Sequence, residues 1–187
     1  FTNYSESLFV EYYYGKEASY EYVRGTRAGI DNDKPIIGIY DVNKKGSGDM
    51  YPKGGNMLHT LRQIVNDDEK WRSILRGLNS TFYHQTVTTK QIEDYLSQQV
   101  GMDLNPFFNQ YLRDVRIPTL EYYFKYNNLY SRWTNCVSGF NMPLKVSIDN
   151  TEKWIKPTTE WTMIDKNVKI TSLVIDKNFY VSSFLIL

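Results

Sequence analysis

The chain of 187 residues contains one cysteine, Cys136, and only two histidines, His59 and His84. A lone cysteine excludes an internal disulfide. With no second cysteine or nearby histidine it has no metal-ligand spacing, so it reads as a small buried hydrophobe. A zinc-protease helix needs two histidines four residues apart with a glutamate between them, because that spacing turns both imidazoles to one face. His59 and His84 fall on different predicted elements, and each reads as a structural or exposed residue. There is no Gly-x-Ser-x-Gly elbow, P-loop or dinucleotide fingerprint, and Gly46-Ser47-Gly48 lacks the Lys-Ser/Thr ending of a phosphate loop. Charge of one sign is missing too. With 22 basic and 21 acidic residues the net charge is +1, which provides no electrostatic footprint for nucleic acid or an anionic membrane. No apolar run is long enough to span a bilayer; the longest, Phe184 to Leu187, is the chain end. Phe1-Thr2-Asn3-Tyr4 carries no signal-peptide features and reads as the inside of a structured element, so the chain is expected to be a piece of something longer.

What is present suits a packed core: 41% of residues are hydrophobic and 16% aromatic. The spacing predicts a helix from Asn3 to about Val23, with Leu8, Phe9, Tyr12 and Tyr13 as its apolar positions and Gly15 a weak point within it. Arg24 to Gly29 reads as a short second helix, stopped by Asn32-Asp33-Lys34-Pro35. Ile36 to Tyr40 reads as an extended buried segment and Asp41 to Asp49 as a loop. After Pro52, Met57, Leu58, Leu61, Ile64 and Val65 recur at helical spacing. Three more helices follow. One runs from about Asp67 to Tyr83 with an acidic first turn, one from the Thr88/Gln91 capping box to Gly101, and one opens at Asp103 with Pro106 in its first turn.

At Pro118 the period changes. Leu120, Tyr122, Phe124 and Tyr126 alternate with more polar neighbours, and further strands are expected around Ser131–Val137, Leu144–Ile148, Thr162–Ile164, Val168–Ile175 and Phe179–Leu187. Asn127-Asn128, Asp149-Asn150, Asp165-Lys166-Asn167 and Asp176-Lys177-Asn178 supply the turns. The fold class is therefore α+β, with helices over 1–117 and a small antiparallel β-sandwich over 118–187.

The stretch from Gly46 to Leu58 carries the most specific local signal. Pro52 suits the first helical position, which sets Tyr51 at or beside the N-cap, near the positive end of a helix dipole. There a phenol can meet a developing negative charge, although most tyrosines, and this chain has 16, are packing residues with a polar handle. Gly54 and Gly55 in the first turn suggest close approach of another group.

Four ordered segments resemble landmarks of the aminopeptidase N family of zinc-dependent gluzincin aminopeptidases: Phe1-Thr2-Asn3-Tyr4-Ser5-Glu6, Gly48-Asp49-Met50-Tyr51-Pro52-Lys53-Gly54-Gly55-Asn56-Met57-Leu58, Phe107-Phe108-Asn109-Gln110-Tyr111-Leu112 and Ile117-Pro118-Thr119-Leu120-Glu121. The resemblance runs to about Leu120 and is looser beyond it. It implies that 1–117 is the helical half of a thermolysin-like catalytic domain. It also implies that Tyr51 matches the catalytic tyrosine of a Tyr-x-Lys-Gly motif, with Lys53 and Gly54 serving the helix start. A phenol with a reference pKa of about 10 stays protonated at neutral pH and can donate to the oxyanion formed as water adds to a peptide carbonyl. In the family, zinc polarises that carbonyl and activates the water.

The resemblance also implies that the His-Glu-x-x-His helix, the Gly-x-Met-Glu-Asn strand and the third zinc ligand all lie upstream of Phe1, and that Glu6 is not that ligand. Tyr51 is then the one catalytic position of this chain, which by itself is expected to bind no zinc or other cofactor and to be inactive. Peptides are the substrates expected of the intact parent, for which a periplasmic or cell-surface location fits the resemblance without being tested by it. The competing reading is a non-catalytic binding or scaffolding module on an aminopeptidase-like fold. Intact or degraded zinc ligands upstream separate the two.

Overall fold

A computed structural model describes residues 1–39, 44–169 and 172–187. Among the described residues six α-helices come first: α1 Thr2–Tyr14, α2 Lys16–Gly25, α3 Pro52–Val65, α4 Asp68–Thr81, α5 Thr89–Val100 and α6 Asn105–Arg113. Short 3-10 turns occupy Thr26–Gly29 and Gly48–Met50. Seven strands follow among the described residues: β1 Thr119–Lys125, β2 Asn128–Thr134, β3 Leu144–Ile148, β4 Thr151–Ile155, β5 Thr162–Asp165, β6 Leu173–Ile175 and β7 Ser182–Leu185. The architecture is mixed α+β, and one continuous cluster of buried side chains, from Tyr4 and Trp71 to Leu144 and Tyr180, runs through helices and sheets alike.

The helix expected over Asn3–Val23 is two helices. Gly15 adopts φ 89°, a left-handed value that favours glycine, and the chain folds back so that the Ser19 hydroxyl donates to the Ser7 carbonyl at 2.7 Å. The buried face also differs from the one the apolar spacing suggests. Tyr4 and Ser7 point inward and Leu8 packs against the core as expected, whereas Phe9, Tyr12, Tyr13 and Tyr14 are exposed. Glu11 takes the inner position because it meets Arg62, a buried guanidinium on α3 that requires a carboxylate partner. α4 starts at the Asp67 N-cap and α5 at the Thr88/Gln91 capping box, and α5 ends at Gly101 in the left-handed region.

The two sheets have strand orders β5-β2-β1-β7 and β4-β3-β6. Alternation sends Leu129, Ser131 and Trp133 inward from β2 and Leu144, Val146 and Ile148 inward from β3. Tyr126 and Asn127 both have positive φ, as do Asp149 and Asn150, the geometry of tight two-residue hairpins. The strand β4 was not expected from its sequence, because four of its five residues are exposed and show no alternation. One pairing departs from the antiparallel expectation: β7 runs parallel to β1, Thr119 opposite Ser182. The expected strand Val168–Ile175 reduces to Leu173–Ile175, with Ile170 and Thr171 outside the described residues. Tyr40 and positions 41–43 of the expected extended segment and loop lie outside them as well. Among the described residues no helix is long and apolar enough to cross a membrane.

Candidate functional site

Tyr51 is the N-cap residue of α3, directly before Pro52. The 3-10 turn Gly48–Met50 delivers the chain to it, with Tyr51 N–H donating to the Gly48 carbonyl at 3.3 Å. Around it the motif divides by role. Tyr51 is 61% exposed, whereas Asp49, Lys53 and Asn56 are buried. Each buried residue ties the helix start to a different neighbour. The Asp49 carboxylate accepts the backbone N–H groups of Asp31 and Asn32 at 3.0 and 2.7 Å. Lys53 donates from Nζ to the Asp114 carbonyl at the end of α6, 2.8 Å away. Burial pushes the Lys53 ammonium below its usual range, and the charges of Asp49 and Asp114 oppose that shift. The Asn56 amide donates to the Val23 and Pro52 carbonyls and the Thr26 hydroxyl, while its carbonyl accepts Arg27 Nε at 2.7 Å. The result is a phenol held on the surface by a start of helix that cannot shift without breaking several buried bonds.

Of the two glycines in the first turn of α3, only Gly55 faces a close neighbour: a Cβ there would lie 3.0 Å from Asn3 Oδ1, and one at Gly54 would meet open space. The tighter approaches lie upstream. A Cβ at Gly46 would come within 2.2 Å of the Ile36 carbonyl oxygen, so the loop before the site is packed backbone on backbone.

His59 lies two turns into α3, fully buried. Its Nε2 is 3.3 Å from Asn178 Oδ1, and its ring meets Tyr20 edge-on at 4.6 Å. Here α3 meets the segment before β7: Arg24 also bonds Asn178, Arg27 bonds the Lys177 and Asn178 carbonyls, and the Thr60 hydroxyl accepts Tyr180 N–H. Burial lowers the imidazole pKa to about 4; the bond to Asn178 opposes this, and Arg62, Arg27 and Arg24 add to it. In the unfolded chain the same group titrates near 6.5, so the unfolded state takes up the proton first. Stability from this group is therefore complete above pH 6.5 and is lost as pH falls toward 4. The expected loss between pH 7.5 and 5 is about 2 kcal/mol. Urea unfolding at both pH values checks it, with His59→Asn as the variant in which most of the difference disappears.

His84 sits in the α4–α5 connection with φ 52°, against Tyr83, and does not join His59. Cys136 is half-buried, and burial raises its thiol pKa, so it is not poised as a nucleophile. Glu6 accepts from Tyr22 and Asn3 on the surface. Among the described residues no group of three or more His, Cys, Asp or Glu side chains could hold a metal ion. Both Asp49 oxygens accept backbone N–H groups and His59 is enclosed, so the donors near Tyr51 do not fit a zinc set. Tyr51 stands at the start of α3 as its place before Pro52 predicts, but the buried anchors around it carry no local signal. Asp49, Lys53 and Asn56 look like exposed polar residues at a helix start, and Asn178 and Tyr180 lie more than a hundred positions away.

The fold is aminopeptidase-like. The chain is similar to the crystal structure of Legionella pneumophila aminopeptidase A in complex with aspartic acid, with a TM-score of 0.68 and 13% identity, over 98% of this chain and 23% of that one. This chain thus spans less than a quarter of that protein's length, and the likeness is one of fold, without pointing to the aminopeptidase N family in particular. No protein-family model matches the chain, and no curated protein does.

Proposed function

We propose that this chain is a portion of a zinc aminopeptidase of the aminopeptidase N type, comprising the helical part of a thermolysin-like catalytic domain over 1–117 and a β-sandwich over 118–187. On this reading Tyr51 donates its phenolic hydrogen bond to the oxyanion formed at the scissile carbonyl of a peptide substrate. The observation that carries it is the division of the motif: Tyr51 is exposed at the N-terminal end of a 14-residue helix while Asp49, Lys53 and Asn56, its neighbours in sequence, are buried and bonded. A packing tyrosine has its ring buried, whereas this ring is free to meet a substrate. The helix end adds roughly half a positive charge beside it, which favours a developing oxyanion.

The metal ligands, on this reading, belong to sequence outside this chain, and no step of the chemistry is assigned to a metal held here. Elemental analysis of the purified chain is expected to find no stoichiometric zinc, and an assay with N-terminal amide substrates no release; one tightly held zinc per chain would overturn that assignment. Loss of turnover in the intact enzyme when Tyr51 is replaced by phenylalanine tests the tyrosine itself.

A further inference from the structure

A groove of about 510 Å³ opens where the last turns of α3 and α5 meet β4. Its apolar walls include Val65, Met102, Pro143 and the ring of Trp154, which is 40% exposed and braced edge-on against Phe179 at 6.0 Å. The titratable side chains that line it are lysines, Lys70 and Lys156, with no aspartate or glutamate among the lining residues. Lys156 has no ion-pair partner among the described residues, and Lys70 reaches only the Val100 carbonyl, at 3.5 Å. The ends of α3 and α5 bring roughly half a negative charge each to the groove, against two full ammonium charges, so the balance stays positive. The volume is in the range of small-molecule sites.

We infer that this groove binds an organic carboxylate carrying a flat apolar group, its ring against Trp154 and its carboxylate toward Lys156 and Lys70. The site does not involve Tyr51 and stands or falls separately from the peptidase reading. The carboxylate could belong to a free aryl acid or to the aromatic C-terminal residue of a peptide; the recognition chemistry is the same.

Titration of the chain with 3-phenylpropionate, followed through the Trp154 indole N–H by two-dimensional NMR, is expected to give a saturable shift with Kd on the order of 1 mM. Lys156→Gln, an exposed position whose replacement leaves the fold intact, should weaken binding about fivefold. The uncharged 3-phenylpropionamide should show no saturable shift, and added salt should weaken the acid. In a parallel arm, Gly-Gly-Phe binding more tightly than 3-phenylpropionate identifies a chain end as the source, and weaker binding identifies a free acid. Equal binding of acid and amide, unchanged affinity in Lys156→Gln, or no saturable shift with the acid overturns the site.

Discussion

Replacing Tyr51 by phenylalanine in the intact enzyme is expected to lower kcat by roughly a hundred- to a thousandfold, the scale for one lost oxyanion donor. The substitution is well isolated. The ring is 61% exposed, and its hydroxyl has no hydrogen-bond partner among the described residues, so removing one oxygen leaves the helix start as it was. Stability should change by less than about 0.5 kcal/mol, as for an ordinary surface replacement. KM should move little, because the bond is made to charge that exists only in the transition state. A loss of kcat below about threefold, with the circular dichroism spectrum and melting temperature unchanged, would remove Tyr51 from the mechanism.

The second large effect concerns stability. Arg62→Met is expected to destabilise the chain by about 3 kcal/mol, because Glu11 loses its main partner and keeps only the more distant Arg72, at 3.4 Å, while Asp68 keeps Lys16. Arg62 is only 3% exposed, and its guanidinium holds Glu11 of α1 through Nη2 at 2.9 Å and Asp68 of α4 through Nε at 2.9 Å. It also lies 5.3 Å from the centre of the Tyr20 ring on α2. Burial alone would lower its pKa, but the bonds to Glu11 and Asp68 raise it above the usual arginine value. One side chain thus joins four helices. The figure sits at the low end of the buried-pair range because Asp68 is 31% exposed and keeps part of its hydration. The double variant Glu11→Leu/Arg62→Met should be less destabilised than the two single changes summed, since the second removal takes away a charge the first left without its closest partner. Chemical denaturation of the four chains measures this directly, and strict additivity would show that the two side chains are not coupled.

These two residues mark the limits of sequence reading. Tyr51 was legible because its signal is local: a proline fixes the helix start, and the residue before it must cap that helix. Arg62 was not, since on the sequence it is one more polar residue in an amphipathic helix, and its partner Glu11 lies 51 positions away. The same cause shifted the face of α1. Apolar spacing selected Leu8, Phe9, Tyr12 and Tyr13; Leu8 packs against the core, but the other three are exposed and Glu11 turns to Arg62, a demand that no periodicity within one helix can report. Where a strand has one buried and one open face, as in β3, alternation located it at its observed bounds, while β2, expected over Ser131–Val137, begins three residues earlier at Asn128 and ends at Thr134. It failed for β4, an edge strand whose residues are mostly exposed, and it could not foresee β7 pairing parallel with β1, because pairing direction is a property of two distant segments.

Composition and local pattern by themselves determined the α+β class, the order of helices before strands, the places of the caps and hairpin turns, and Tyr51 at the mouth of α3. These follow from steric and hydrogen-bonding preferences that act within a few residues. Only the tertiary structure decided which polar residues are buried, because the desolvation of Lys53, Asn56, His59 and Arg62 becomes tolerable once partners from Asp114, Val23, Asn178 and Glu11 close around them. The partners of Lys53 and Asn56 anchor the helix start at which Tyr51 stands exposed.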